Sequence, residues 1–123
     1  MTQSKLISLA IDEAFKSTHQ HKIGAIIYTN KGVISKGHND SNTWRHNLHP
    51  KYKRWPTSIH AEVAAILSAK KDLKGYFILV VRVNKIGELR MAKPCNLCMN
   101  YINYVGIKKV SYSTGNGMET IIL

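Results

Sequence analysis

Cysteine is almost missing from this chain, with Cys95 and Cys98 the only two among 123 residues. A secreted domain built on disulfides would carry more of them at wider spacing, so that class is excluded. Long apolar runs are missing too. None approaches the ~20 residues that a membrane-spanning helix needs, and the first residues lead into an amphipathic pattern instead of a signal-peptide core. The expected location is therefore cytoplasmic, with no membrane partner. Acidic residues are scarce, 7 against 18 Lys and Arg, for a formal net charge of +11. The excess is evenly spread: 9 basic and 3 acidic residues precede Ser58, and 9 basic and 4 acidic lie from Ser58 onward. It favours an anionic partner, a polynucleotide or a free nucleotide, less sharply than a single basic stripe would, and solubility alone also accounts for it. No internal repeat, low-complexity tract or second domain is visible. A single domain over residues 1–123 is expected, long enough to bury roughly two thirds of its unfolded surface.

Residues 4–17 predict a helix, because Leu6, Ile7, Ala10, Ile11, Ala14 and Phe15 recur at helical spacing. Residues 23–28 predict a buried strand. The turn signal Asn30-Lys31-Gly32 joins it to a second strand from Val33, forming a hairpin. Residues 39–57 form a long polar connection of a kind that is often functional. A second helix is expected over residues 58–71 with Gly75 as its stop, then a strand over 76–83 and a turn at Lys85-Ile86-Gly87. Pro94 suits the first position of a third helix, running to about Val105 with Gly106 as its cap. Residues 108–113 and 119–123 complete the list of strands. Only five residues, 114–118, separate these two, too few for a parallel crossover, so the last strand is expected to return antiparallel. The expected fold is α/β: a mixed five-stranded sheet flanked by helices, in the order α-β-β-α-β-α-β-β.

The chemistry concentrates in two short motifs. In Pro94-Cys95-Asn96-Leu97-Cys98 the thiols stand three residues apart at a helix start. That spacing turns both sulfurs to one side, and a helix N-terminus favours the thiolate form that binds metal. A redox pair would have the same spacing, but its usual βαβ context does not fit a chain that opens with a hairpin. A structural zinc site would need a fourth protein ligand, and there is no third cysteine. In His60-Ala61-Glu62, 33 residues before Cys95 counted from Glu62, a metal ligand and a carboxylate share a helix start. H-x-E followed by P-C-x-x-C is the pattern of zinc deaminases. His60, Cys95 and Cys98 would hold one Zn2+ per chain and leave the fourth position open for water. Glu62, beside the ion but not bound to it, would shuttle the proton. Ala61 keeps that corner small enough for a flat base.

These motifs resemble the cytidine and deoxycytidylate deaminase superfamily, and the likeness covers nearly the whole chain. Ile23-Gly24-Ala25-Ile26-Ile27 is similar to that family's first strand. Gly37-His38-Asn39 is similar to its G-x-N segment, and Gly106 through Ser113 to the segment after its third helix. The resemblance implies a cytidine-deaminase-like three-layer fold and a sugar contact for Asn39, and places Tyr112 among the substrate-binding residues. It also implies homo-oligomers, because active sites of this superfamily often borrow loops across subunits. A first ligand of His instead of Cys resembles the deoxycytidylate, tRNA and polynucleotide deaminases. The short terminal hairpin, and Ala92-Lys93 ahead of Pro94, depart from those members.

The substrate is expected to be read by residues 43–55, which hold both tryptophans, Trp44 and Trp55, and no acid. Trp44, Arg45, Lys53 and Arg54, with Lys51, suit a stacked base and a phosphate. A solvated or oligomer-contact loop is the alternative. Three functions stand: deamination of a free cytosine nucleotide or nucleoside, dCMP foremost; deamination of cytosine, or adenine, in single-stranded DNA or RNA; and a non-catalytic zinc-stabilised module, against which the intact Glu62 argues.

Overall fold

The computed structural model describes residues 2–39 and 60–123. Its elements are α1 (Gln3–Ala14), β1 (Lys22–Thr29), β2 (Gly32–His38), α2 (Ala61–Ala69), β3 (Phe77–Val83), β4 (Leu89–Arg90), α3 (Asn96–Tyr104), β5 (Lys109–Thr114) and β6 (Gly117–Ile122). They build one mixed sheet with the path β2-β1-β3-β5-β6, and β4 pairs with β3 off that path. The β1–β2 hairpin and the β1–β3 pair are antiparallel, and β3 and β5 are parallel. The parallel pair is joined through α3, the crossover that such a pair requires. β6 returns antiparallel along β5, with Tyr112 opposite Glu119, as its short connection demands.

Strand alternation sorts the core into two layers. Ile26, Leu79, Val81 and Val83 face one side and pack with Leu6, Ala10 and Ala14 of α1. Ala25, Ile27, Ile78, Val80, Val110 and Tyr112 face the other, where α2 and α3 supply Ala61, Val63, Ala65, Cys98 and Ile102. The result is three layers, with α1 on one face and the two motif-bearing helices on the other. Gly24 and Gly37 set the helix-to-sheet spacing. A Cβ at Gly24 would collide with the backbone of Ala10 and Ala14, and one at Gly37 with that of Ala61 and Ala65.

Three expectations are corrected. The sheet carries a sixth, two-residue strand, β4. The turn before it is held by Asn84 Oδ1, which accepts from the N–H groups of Ile86 and Glu88 and folds Leu89 back beside Val83. Gly75 is not the stop of α2, because that helix ends at Ala69 with Lys70 as a left-handed cap at φ 52°. Pro94 is not the first residue of α3: Cys95 is the N-cap and Asn96 opens the helix. The cap is chemical, since the Cys95 sulfur accepts from the Cys98 N–H at 3.5 Å.

Between α1 and β2 the buried carboxylate of Glu13 meets His38 Nδ1 at 2.7 Å and Lys16 Nζ at 3.1 Å. Burial works to raise its pKa, yet the hydrogen bonds to His38 and Lys16 hold the carboxyl below the ordinary carboxylate value. A depressed carboxylate pKa stabilises the fold above the unfolded-state value, and that stability is lost as pH falls through the folded-state value. Glu13→Gln is expected to cost on the order of 1–3 kcal/mol at neutral pH. The penalty should shrink as pH falls below the ordinary carboxylate range and through the depressed folded-state value, where wild type loses the same charge. Urea unfolding at a series of pH values checks this, and a constant penalty across the series would contradict it.

Candidate metal centre and active site

The two helices on one face of the sheet start close together. His60 is the N-cap of α2, with extended backbone (φ −80°, ψ 152°), and Cys95 is the N-cap of α3. His60 Nδ1 lies 3.2 Å from Cys98 Sγ and 3.8 Å from Cys95 Sγ. The three ligand atoms all lie within 4.8 Å of one another. Zn–S and Zn–N bonds of ordinary length around a tetrahedral ion place nitrogen and sulfur roughly 3.5 Å apart. The observed separations straddle that value, so the donor set fits zinc in both spacing and type. Among the described residues no other group of three His, Cys, Asp or Glu side chains converges in this way. Cys98 is buried and Cys95 exposed, so the centre opens on the Cys95 side.

Electrostatics follow from the same placement. A hydrogen bond from the Cys98 thiol, aided by backbone N–H groups at the α3 start, draws the Cys95 thiol down to about 5. The Cys98 thiol moves the other way, raised by its bond to Cys95, by burial and by the neighbouring Glu62. Glu62 stands in the first turn of α2, only 4% exposed. Burial pushes its carboxyl up to about 7, and the charge of Cys95 adds to the rise. A carboxyl that titrates near neutrality takes up and gives back a proton at low cost, as a general acid–base requires.

The remaining sequence-derived candidates divide. Ala61, fully buried, is the first residue of α2 between His60 and Glu62. Tyr112, 6% exposed, belongs to the core cluster that contains Ala61 and Cys98. Asn39, also buried, directly follows β2 and clamps the start of β1: Oδ1 accepts from Ile23 N at 3.0 Å, and Nδ2 donates to His21 O at 2.6 Å. Trp44, Arg45, Lys51, Lys53 and Arg54 lie outside the described residues. Sequence reasoning passes over His21 and Arg82. A signal for the second is present, because Arg82 is the single charged residue in the apolar strand β3.

Three layers, two helix starts on one face and a His-Cys-Cys centre beside a buried carboxyl define a zinc-dependent deaminase of the cytidine type. The family model for the cytidine and deoxycytidylate deaminase zinc-binding region matches residues 1–114, and the chain belongs to that family. Among solved structures, the chain superposes on the cytidine deaminase from Burkholderia pseudomallei with a TM-score of 0.72 at 22% identity, covering 99% of this chain and 93% of that one. On the dCMP deaminase from the cyanophage S-TIM5, in complex with dCMP and dUMP, the TM-score is 0.67 at 21% identity, covering 91% and 82%. On the cytidine deaminase from Mycobacterium leprae it is 0.65 at 19% identity, covering 98% and 93%. At such identities these neighbours establish the fold. No curated protein matches the chain by sequence. No described helix is long and apolar enough to cross a membrane.

Proposed function

We propose that the protein hydrolyses the exocyclic amine of cytosine in a free cytosine nucleotide, dCMP foremost, releasing the uracil nucleotide and ammonia. The observation that supports this most is the buried Glu62 carboxyl, held near neutral pKa beside three converging ligands. Zinc, when bound by His60, Cys95 and Cys98, supplies a Lewis acid that makes hydroxide available near neutral pH. Glu62 takes the proton that the attacking water gives up. It hands that proton to the ring nitrogen, then takes the second proton from the hydroxyl now on the tetrahedral carbon and passes it to the departing amine, so that the carbonyl forms and ammonia leaves neutral. The methyl side chain of Ala61 leaves room for the base. Asn39 offers the sugar its second N–H and its second lone pair, since one of each is already used on His21 and Ile23. Tyr112 supports the pocket floor, and Trp44, Arg45, Lys53 and Arg54 complete the substrate contacts.

One observation favours the second reading, action on a single-stranded nucleic acid. At the far end of the sheet, where β3 begins, an open groove of about 350 Å³ is lined by Lys31, Lys74, Tyr76 and Phe77 among others. A polynucleotide backbone reaching past the active site would meet such cations. The test is a deamination panel of cytidine, deoxycytidine, their monophosphates and single-stranded oligonucleotides, read for uracil. The monophosphates are expected to give the highest kcat/KM. Turnover confined to oligonucleotides would replace the first reading with the second.

The assembly is proposed to be a homo-oligomer. Ile86, Met91 and Tyr104 are apolar side chains exposed at 79%, 53% and 61%, and each is a place where a subunit contact would bury apolar surface. Light scattering should give a mass above one chain, and a clean monomer at working concentration would end the idea.

A further inference from the structure

A cavity of about 230 Å³ opens at the end of β3, and its lining includes His21, Arg82, Val83, Asn84, Lys85 and Arg90. Its face and its end of the sheet are both those of the metal centre. On β3, Arg82 alternates in step with Ile78 and Val80, which pack in the cluster containing Ala61 and Cys98, whereas Leu79, Val81 and Val83 pack towards α1. The Arg82 N–H bonds to Ser113 Oγ at 3.1 Å, and the same hydroxyl donates to Arg90 O at 2.7 Å. Ser113 O accepts from the N–H of Ala92 at 2.9 Å. One buried serine therefore ties the base of Arg82 to the segment that leads directly into Pro94 and Cys95.

The polar groups at this cavity are pre-aimed. Arg82 Nη2 lies 2.7 Å from His21 Nδ1. A guanidinium only donates, so Nδ1 accepts and the ring proton sits on Nε2, which makes His21 a second donor. The backbone of His21 is in turn held by Asn39 Nδ2 at its carbonyl oxygen. Asn39, His21 and Arg82 thus form one hydrogen-bonded chain that begins at the residue proposed for the sugar and ends at a forked cation. In a nucleotide the 5′-phosphate is one carbon away from the sugar ring. Arg90 and Lys85 add charge at the exposed rim. The acid at this rim, Glu88, is engaged by Asn84 and Arg90.

We propose that Arg82 and His21, with Arg90 at the rim, bind the 5′-phosphate of the cytosine nucleotide, and that Arg82 sets the preference for nucleotide over nucleoside. The inference rests on the deaminase reading above and names the phosphate subsite of that same site. A dianionic phosphate takes the Arg82 fork in a bidentate, charge-assisted bond and the His21 Nε2–H beside it. A nucleoside has nothing to place there.

The test measures kcat and KM of the zinc-loaded enzyme for dCMP and for deoxycytidine, in wild type, Arg82→Gln, Arg82→Lys and Arg90→Gln. Zinc content and thermal melting report on folding. In Arg82→Gln the ratio of kcat/KM for dCMP over deoxycytidine is expected to fall roughly tenfold or more, chiefly through KM for dCMP. Arg82→Lys should recover part of the ratio, because it restores the charge without the fork. Arg90→Gln, at an exposed position, should lower the ratio less, and it carries the test if Arg82→Gln does not fold. Equal losses on both substrates would mean that Arg82 merely pins His21, and would overturn the proposal. An unchanged ratio in a wild-type enzyme that does prefer dCMP would overturn it while leaving the deaminase reading intact. A wild type that turns over neither compound defeats the free-nucleotide reading and this subsite together.

Discussion

Glu62→Gln is expected to lower kcat by a factor of roughly 10²–10⁴ while leaving one zinc per chain and an intact fold. The argument starts from where the carboxyl sits. Glu62 follows the α2 N-cap by two residues, so its side chain stands beside His60 and the two sulfurs without being part of the three-atom ligand set. Its environment disfavours charge, and burial drives its pKa to about 7. A buried carboxyl that stands next to the ligand set without belonging to it is placed to pass a proton. Glutamine keeps the volume and the polar tip but cannot carry that proton. The variant should also melt no earlier than wild type, because the substitution removes an ionisable group from a buried place. Metal analysis, thermal melting and turnover of the best panel substrate together decide the matter. Loss of zinc would make Glu62 a ligand, and turnover near wild type would remove it from the chemistry.

The ligands themselves are legible in the sequence because metal chemistry imposes residue type and spacing at once. His60 with Glu62 two residues on, and Cys95 with Cys98 three residues on, satisfy both demands locally, and the fold only has to bring two helix starts together. The antiparallel return of β6 is legible for a related reason, since five intervening residues leave no other geometry. What is not legible depends on contacts that no local pattern records. β4 exists because Asn84 organises a turn, and two residues are too few to show strand periodicity. The start of α3 is not legible because the rule that favours proline at the first helical position ignores a sulfur that caps the helix from the preceding residue. The end of α2 is not legible because Lys70 takes the left-handed conformation usually left to glycine. The near-neutral pKa of Glu62 comes from burial between elements far apart in the chain, and the link from Asn39 through His21 to Arg82 joins the residue after β2, the residue before β1 and a residue of β3.

Gly37→Ala is expected to weaken metal binding through a single added methyl group, and its comparison with Gly24→Ala isolates why. Neither glycine is needed for an unusual backbone angle, so the argument is steric alone. A Cβ at Gly37 would overlap Ala65 N and lie 2.7 Å from Ala61 O and 2.8 Å from Ala64 C. These are backbone atoms of α2, which cannot rotate aside as a side chain does. Ser35, two residues away on the same face, ties the strand to the same helix through its hydroxyl bond to Ala65 O at 2.8 Å. Relief therefore requires lifting α2 off β2, and His60, Ala61 and Glu62 move with its first turn. The sulfurs stay behind on α3, so the 3.2 Å approach of His60 Nδ1 to Cys98 Sγ is lost. A Cβ at Gly24 meets a similar obstacle on the opposite face, overlapping Ala10 O and lying 2.7 Å from Ala14 N. There the helix that must move is α1, which carries no ligand. Both variants are expected to lose about 1–3 kcal/mol or more to overpacking. Only Gly37→Ala should also weaken zinc by tenfold or more, as misplacing one of three ligands would. Urea unfolding and competition with a chelator measure the two effects separately. Equal zinc affinity in the two variants would show that α2 absorbs the methyl group without moving the metal centre, and the spacing argument for Gly37 would fall.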